Sequence, residues 1–480
     1  MPSPSMDFFF ATIGELNRRL LKRDVSSVEL VKAFSQRLDA LGPRYNALAL
    51  SLGASAAKRA KDVDGDIKRD RLRGLLQGLP FGAKDLLSVA KQTTAWGAKP
   101  YADQVFDYTA TALDKLAGAG ALLIGKLAMV ELAGGPSYRY ASASVTGPGL
   151  NPWDTTRWSG GSSSGSAIAV AAGLVPFALG SETSGSILTP SAFCGVTGLR
   201  PTYGLVSRHG AMALSWTLDK IGPIAHSAED CGHVLHAIAG GDSADPGSAG
   251  KSFYYFPQYQ RPLKELRIGF AAADFTERPD SAARPAFAQA LDVLRGLSLQ
   301  FKDAHLPEFP YGPMVSTIIG AEAASIFEPL ISSGRVDQLA DAKQIAAFKS
   351  AAEIKATDYL KAMRVRRIAR DAIHELFIDY DLLLAPARLG TAPLVTQPLD
   401  QPPAGAPAAA RSNAPGLSAL IAAGNLAGLP ALSLPCGFAG GLPVGIQLVG
   451  LPFSENLLIH VGKAFQEATD WHRRRPPGAV

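Results

Sequence analysis

Two Gly/Ser-rich turns on either side of a small apolar segment constrain the fold of this 480-residue chain more than any other feature. The first turn reads GGSSSGS at 160–166, the apolar segment AIAVAAGLVPFAL covers 167–179, and the second turn reads GSETSGSI at 180–187. A flexible linker would not alternate with residues that have to be buried. The pattern predicts a turn, a helix of small residues, a short strand and a second turn, with the two turns held close together.

Such a pair of turns has the groups that acyl-transfer chemistry needs. Backbone N–H groups that converge at a tight turn form an oxyanion hole, and a serine hydroxyl becomes a nucleophile when a neighbouring base takes its proton. The segment 157–195 contains several serines and no histidine. If one of these serines is the nucleophile, its base must come from another residue type.

The rest of the sequence alternates helices with short apolar strands. Ser26 and Glu29 form a capping box at the start of a helix within 11–41. Residues 266–273, 380–387, 430–437 and 444–450 are predicted as buried strands. This alternation predicts an α/β fold with a mixed sheet.

Composition excludes several other classes of protein. The net charge is only +5, and we interpret the basic runs at 361–370 and 472–475 as a solvated helix face and a tail, so no nucleic acid is expected as a partner. The three cysteines show no ligand spacing, and His233 and His236, whose i, i+3 spacing can bind a metal, have no obvious third ligand. This argues against a metal, a disulfide framework or another cofactor. No stretch is long and apolar enough to span a membrane, and a cytoplasmic location is expected.

A third motif, GLPFGAKDLL at 78–87, completes a set that resembles the amidase signature family. The continuations AFCGVTGLRPTYGL and NLAGLPALSLPCG match the family as well, so the resemblance covers nearly the whole chain with its motifs in order. It implies a single large α/β domain with a central mixed twisted sheet covered by helices on both faces. It also implies catalysis without a cofactor.

The resemblance implies a Ser–Ser–Lys triad. Matched motif to motif, Ser186 is the nucleophile, Ser162 is the bridging serine that follows a cis peptide bond, and Lys84 is the terminal base. The backbone N–H groups of Thr183, Ser184, Gly185 and Ser186 would form the oxyanion hole. A lysine normally titrates near 10.4, so Lys84 can accept a proton at neutral pH only if burial among its apolar neighbours lowers its pKa.

The sequence departs from the family pattern beside the nucleophile. Glu182 stands where the family often has Asp, Ser184 where it often has Gly, and Leu188 where it often has Arg. Because Leu188 removes a cation, Glu182 has to find another partner or water.

Within this family the favoured function is a stand-alone hydrolase of aliphatic or aryl amides, with carbamates (urethanes) as further substrates. Its small-molecule substrate would contact Gly134, Gly135, Tyr138, Ser418 and Ile421. The alternative is the glutaminase-type A subunit of glutamyl-tRNA(Gln) amidotransferase, whose substrate-binding arginine would correspond to Arg366. Ser418 occupies the position of the matching aspartate. A catalytically silent binding protein is the third interpretation, disfavoured because all three triad residues are present.

The expected organisation is one amidase domain over 1–480. Residues 66–240 form the signature core with the lysine and both serine motifs, 302–370 form a helical insertion or cap, and the Pro/Ala-rich residues 397–416 form a loop at the pocket. We expect a monomer or a homodimer.

Overall fold

An eleven-stranded mixed β-sheet forms the centre of the computed structural model, which describes residues 7–401 and 416–478. Its strand order is β1-β3-β2-β6-β8-β7-β12-β13-β11-β9-β10, and β4 pairs separately with β5. The strands are β1 Leu48–Ser51, β2 Pro80–Lys84, β3 Leu122–Leu127, β4 Leu150–Asn151, β5 Asp154–Trp158, β6 Phe177–Glu182, β7 Thr197–Arg200, β8 Lys220–Ala225, β9 Arg267–Phe270, β10 Gln300–Asp303, β11 Leu382–Pro386, β12 Ala431–Ala439 and β13 Leu442–Val449.

Fifteen α-helices flank the sheet in the described residues. They are α1 Ile13–Lys22, α2 Ser27–Leu41, α3 Gly53–Lys68, α4 Thr111–Gly118, α5 Ser164–Ala171, α6 Leu188–Cys194, α7 Ala228–Ile238, α8 Ala273–Thr276, α9 Arg284–Gly296, α10 Tyr311–Ile326, α11 Glu328–Ser332, α12 Ala342–Ala351, α13 Ala356–Leu376, α14 Leu420–Leu426 and α15 Glu455–Glu467. None of these helices has the length and apolar character that a bilayer span requires.

The predicted α/β fold with one large mixed sheet is confirmed. Every residue of β2, β6, β8, β11 and β13 is buried, as expected for strands covered on both faces. The capping box at Ser26 and Glu29 is present at the start of α2. One strand prediction was too long, because β9 ends at Phe270 and the chain turns into the short helix α8 at Ala273.

The sheet places the lysine motif next to the second Gly/Ser turn. β2 lies parallel to β6, and Lys84 and Glu182 are the last residues of these two neighbouring strands. Because parallel strands end at the same edge, the lysine motif and the second Gly/Ser turn emerge side by side. The first Gly/Ser turn leads directly into α5, which packs against β6.

Candidate active site

Lys84 is completely buried at the end of β2. Its Nζ lies 2.7 Å from Ser162 Oγ and 2.9 Å from Ser181 Oγ. Burial lowers the pKa of Lys84 to about 7, although Asp219 and Glu182 act in the opposite direction. A large share of this amine is therefore neutral at physiological pH, as a proton acceptor requires.

Ser162 lies in the first Gly/Ser turn, directly before α5. The Gly161–Ser162 peptide bond is cis, as the family resemblance implied. The adjacent Ser163 N–H donates to the carbonyl of Ser186 at 3.3 Å, so the two turns touch. Within the described residues the hydroxyls of Ser162 and Ser186 are not hydrogen-bonded to each other. Such contacts are often long before a substrate binds, and a side-chain rotation can shorten them.

The second turn keeps a row of backbone donors free. In the part of the chain that the structure describes, the N–H groups of Thr183, Ser184, Gly185 and Ser186 donate to no protein acceptor. The turn is held from outside by the Thr183 hydroxyl, which donates to Asp219 at 2.6 Å. Free N–H groups on a turn fixed in this way are suited to stabilise an oxyanion.

Glu182 has a partner that the sequence analysis did not identify. Arg200, the last residue of β7, donates from Nη1 to Glu182 Oε1 at 2.8 Å, and both side chains are fully buried. The second carboxylate oxygen accepts the N–H groups of Ile187 and Leu188 at 2.9 and 3.0 Å. Burial alone would raise the pKa of Glu182, but Arg200 and the hydrogen bonds outweigh it and lower the pKa to about 2. This arrangement ties the second Gly/Ser turn to β7.

Replacing Arg200 with methionine is expected to destabilise the protein by about 3–5 kcal/mol, because it leaves the Glu182 carboxylate buried without its cation. Urea unfolding followed by circular dichroism measures the loss. Arg370→Met, which removes the exposed Arg370–Asp371 pair, is the control and should change stability by no more than about 0.5 kcal/mol. Equal losses in the two variants would contradict the role given to Arg200.

A pocket opens at the second turn. Its lining includes both turns (Gly161, Thr183, Ser184 and Ser186), the segment 133–138, the side chain of Arg388 and residues 397–401. Ser186 keeps 9% of its surface accessible, whereas Lys84 keeps none. The hydroxyl that would attack therefore faces the pocket, and the amine that would take its proton lies behind it, away from water.

The structure brings only some of the predicted substrate contacts together. Gly134, Gly135 and Tyr138 line the pocket, and the Tyr138 ring packs edge-on against Trp158 with centroids 6.3 Å apart. Ile421 does not line it but approaches Gly185 from α14.

Ser418 is exposed and lies outside the residues that line the pocket. Of the predicted pocket loop 397–416, residues 402–415 lie outside the described residues.

Arg366 is not at the pocket either. It lies on α13, where Nε donates to the carbonyl of Leu426 at 2.8 Å and Nη2 to that of Thr217 at 2.9 Å. Its guanidinium therefore joins α13 to two neighbouring segments.

Three residues of the site were missed by the sequence analysis. Ser181 gives Lys84 its second contact, Arg200 neutralises Glu182, and Arg388 lines the pocket. Arg200 is the last residue of a buried strand and Arg388 follows one closely. A charged residue at that position was a usable signal, because ligands in α/β proteins bind at the carboxyl ends of strands.

The family model and the sequence relatives that match this chain agree with each other. A family model described as Amidase matches residues 29–459. The glutamyl-tRNA(Gln) amidotransferase A subunit from Moorella thermoacetica is 37% identical over 498 aligned residues, which cover 98% of this chain and 99% of that protein.

Two solved structures are similar over almost their whole length. The peptide amidase from Stenotrophomonas maltophilia has a TM-score of 0.83 and 30% identity, covering 98% of this chain and 99% of its own. The glutamyl-tRNA(Gln) amidotransferase A subunit from Thermotoga maritima has a TM-score of 0.77 and 27% identity, covering 96% of each chain.

Proposed function

This chain belongs to the amidase family, whose members cleave C–N bonds, and on that premise we propose that it hydrolyses carboxamides by transient acylation of Ser186. The Ser186 hydroxyl attacks the amide carbonyl while its proton passes to Ser162, whose own proton passes to the neutral Lys84 amine. The free N–H groups of 183–186 stabilise the tetrahedral oxyanion. The relay then runs in reverse to protonate the leaving nitrogen, and water hydrolyses the acyl-enzyme.

The observation that carries this proposal is the contact between a fully buried lysine and Ser162 behind a pocket that contains Ser186. An amine that is shielded from water and has a pKa near 7 is poorly suited to a surface ion pair. It is well matched to a proton acceptor, because the best catalytic base has a pKa near the working pH. A carbamate has the same carbonyl and a nitrogen leaving group, so the proposal extends to carbamates.

We further propose that the segments defined from the sequence have separate roles at this site. The core 66–240 carries the triad, and the helical segment 302–370 shapes the pocket. Asp341, at the start of α12, accepts the N–H groups of Arg139 and Tyr140 at 2.9 Å, and Lys343 pairs with Asp400 at 2.7 Å. These contacts support the proposal that the helical segment fixes the positions of two parts of the pocket wall.

The names of the curated relatives support the amidotransferase A subunit, the alternative function, more than the stand-alone hydrolase. A glutaminase-type A subunit would work with partner subunits rather than as the expected monomer or homodimer. Against this, Arg366 donates to backbone carbonyls and Ser418 is exposed, so the two positions expected to grip glutamine do not meet at the pocket. We therefore keep both functions, with the stand-alone hydrolase favoured by the site and the amidotransferase role favoured by the relatives.

Assays of the purified chain alone separate the two. We expect it to release amine or ammonia from a neutral amide such as p-nitroacetanilide or butyramide without added partners, with an aryl carbamate as the second class of substrate. Turnover of glutamine only, dependent on copurified subunits, would establish the amidotransferase role. No turnover of any substrate, together with no labelling by an active-serine probe, would refute hydrolysis by this site.

A further inference from the structure

Arg388 lies closely after β11 and reaches toward the nucleophile turn. Its Nε and Nη2 donate to the Thr189 hydroxyl at 2.9 and 2.6 Å. A Cβ built on Gly185 would lie 3.4 Å from Arg388 Nη2. The guanidinium is thus beside the peptide that precedes Ser186, at the reacting end of the pocket.

The cation has no carboxylate partner among the described residues. A guanidinium has five N–H donors, and the Thr189 hydroxyl accepts from only two of its nitrogens. Arg388 makes no ion pair within 4.0 Å in that part of the chain, although it keeps accessible surface and lines the pocket.

The acidic groups around the pocket do not neutralise it. Asp274 pairs with Arg278, Asp400 with Lys343 and Glu182 with Arg200. Asp280 also lines the pocket, but it does not come within ion-pair distance of Arg388. A cation that faces a pocket without a counter-ion from the described protein favours a bound anion.

We propose that Arg388 binds a carboxylate of the substrate, so that the preferred substrates are amides carrying a carboxylate on a short linker from the scissile carbonyl. The inference rests on the proposed hydrolysis at Ser186. Arginine suits this task because its planar donors match the two oxygens of a carboxylate. The anchor point beside Gly185 would hold the carboxylate at a fixed distance from the attacking hydroxyl, and Arg388 would act on specificity rather than on proton transfer.

The test compares succinamate, which carries a carboxylate, with butyramide, which has the same chain length and no charge. We expect wild-type kcat/KM to be higher for succinamate. Arg388→Gln should lower the ratio of kcat/KM for succinamate to kcat/KM for butyramide roughly 10- to 100-fold, because a charge-assisted hydrogen-bonded pair is lost with succinamate only. Arg370→Gln, which removes an exposed arginine of α13, is the matched control and should alter neither value.

Further measurements separate this inference from the proposed function and from misfolding. Arg388→Lys keeps the charge and should retain part of the succinamate preference. In the Ser186→Ala background, calorimetry should detect succinamate binding that the added Arg388→Gln change abolishes. Equal losses for both substrates, or a wild-type enzyme that hydrolyses butyramide as well as succinamate, would overturn the carboxylate site while leaving hydrolysis at Ser186 in place. Failure of the proposed function would instead appear as no turnover of either substrate by the wild type.

Discussion

Lys84→Ala is expected to lower kcat/KM by about 10²–10⁴-fold while the chain stays folded, because the substitution removes the terminal proton acceptor. Among the described residues the amine is hydrogen-bonded to two hydroxyls, those of Ser162 and Ser181, so its loss breaks no ion pair there. Lys84→Met fills nearly the same volume without a base and should lose as much activity as the alanine variant. Circular dichroism and thermal melting verify the fold, and steady-state kinetics on the best amide measures the loss.

The pH profile distinguishes a base from a residue that only supports the structure. Only the neutral amine accepts a proton, so wild-type kcat/KM should rise as pH increases through about 7 and level off above it. Both Lys84 variants should lose this limb. Lys349→Ala, which removes a lysine from the exposed Lys349–Asp337 pair, should keep it. Near-normal rates at neutral pH in both Lys84 variants would show that the base is another group.

The elements that carry the candidate triad were accessible from sequence because their signals are local. The alternation of Gly/Ser turns with small apolar residues predicted α5, β6 and the second turn, and each is present. Desolvation of Lys84 also followed from its neighbours, since apolar residues flank it on both sides in the chain. Local pattern and motif order were sufficient for these features.

The partners of the site were not accessible, because they depend on strand order. The family's arginine is absent at position 188. A charged residue at the end of a buried strand could have placed Arg200 near the site, but nothing in the chain paired it with Glu182. Arg200 belongs to β7, which lies two strands away from β6 in the sheet with β8 between them. Only the three-dimensional neighbourhood connects the two residues, 18 positions apart in sequence.

The pocket shows that substrate contacts, too, could not be predicted from positions along the chain. Arg366 and Ser418 were placed by matching positions along the chain, and the structure puts neither among the residues that line the pocket. Arg388 lines it instead, and its guanidinium donates to the hydroxyl of Thr189 on α6, directly after the second Gly/Ser turn. Side chains of different elements can present a cation to one cavity, so position along the chain is a weak guide to substrate contacts even where motifs bring the candidate catalytic residues to one place.

Ser186→Ala should abolish acyl-enzyme formation and lower kcat by about 10⁴–10⁶-fold, because the remaining oxyanion donors and binding contacts supply only a small part of the catalysis. Intact-protein mass spectrometry after treatment with a fluorophosphonate measures this directly. The wild type should gain one adduct at Ser186 and the variant none. Ser191→Ala is the matched control, since in the described residues this buried hydroxyl on α6 makes no hydrogen bond.

The same experiment separates the nucleophile from the bridging serine. Ser162→Ala removes the link between Ser186 and Lys84 but leaves the attacking hydroxyl, so labelling at Ser186 should become slow rather than vanish. If Ser186→Ala were still labelled, at Ser162 or at Ser184, the nucleophile would be wrongly assigned. If Ser162→Ala were labelled as fast as the wild type, the proton would reach Lys84 by another route, and Ser181, which also contacts that amine at 2.9 Å, would be the residue to test.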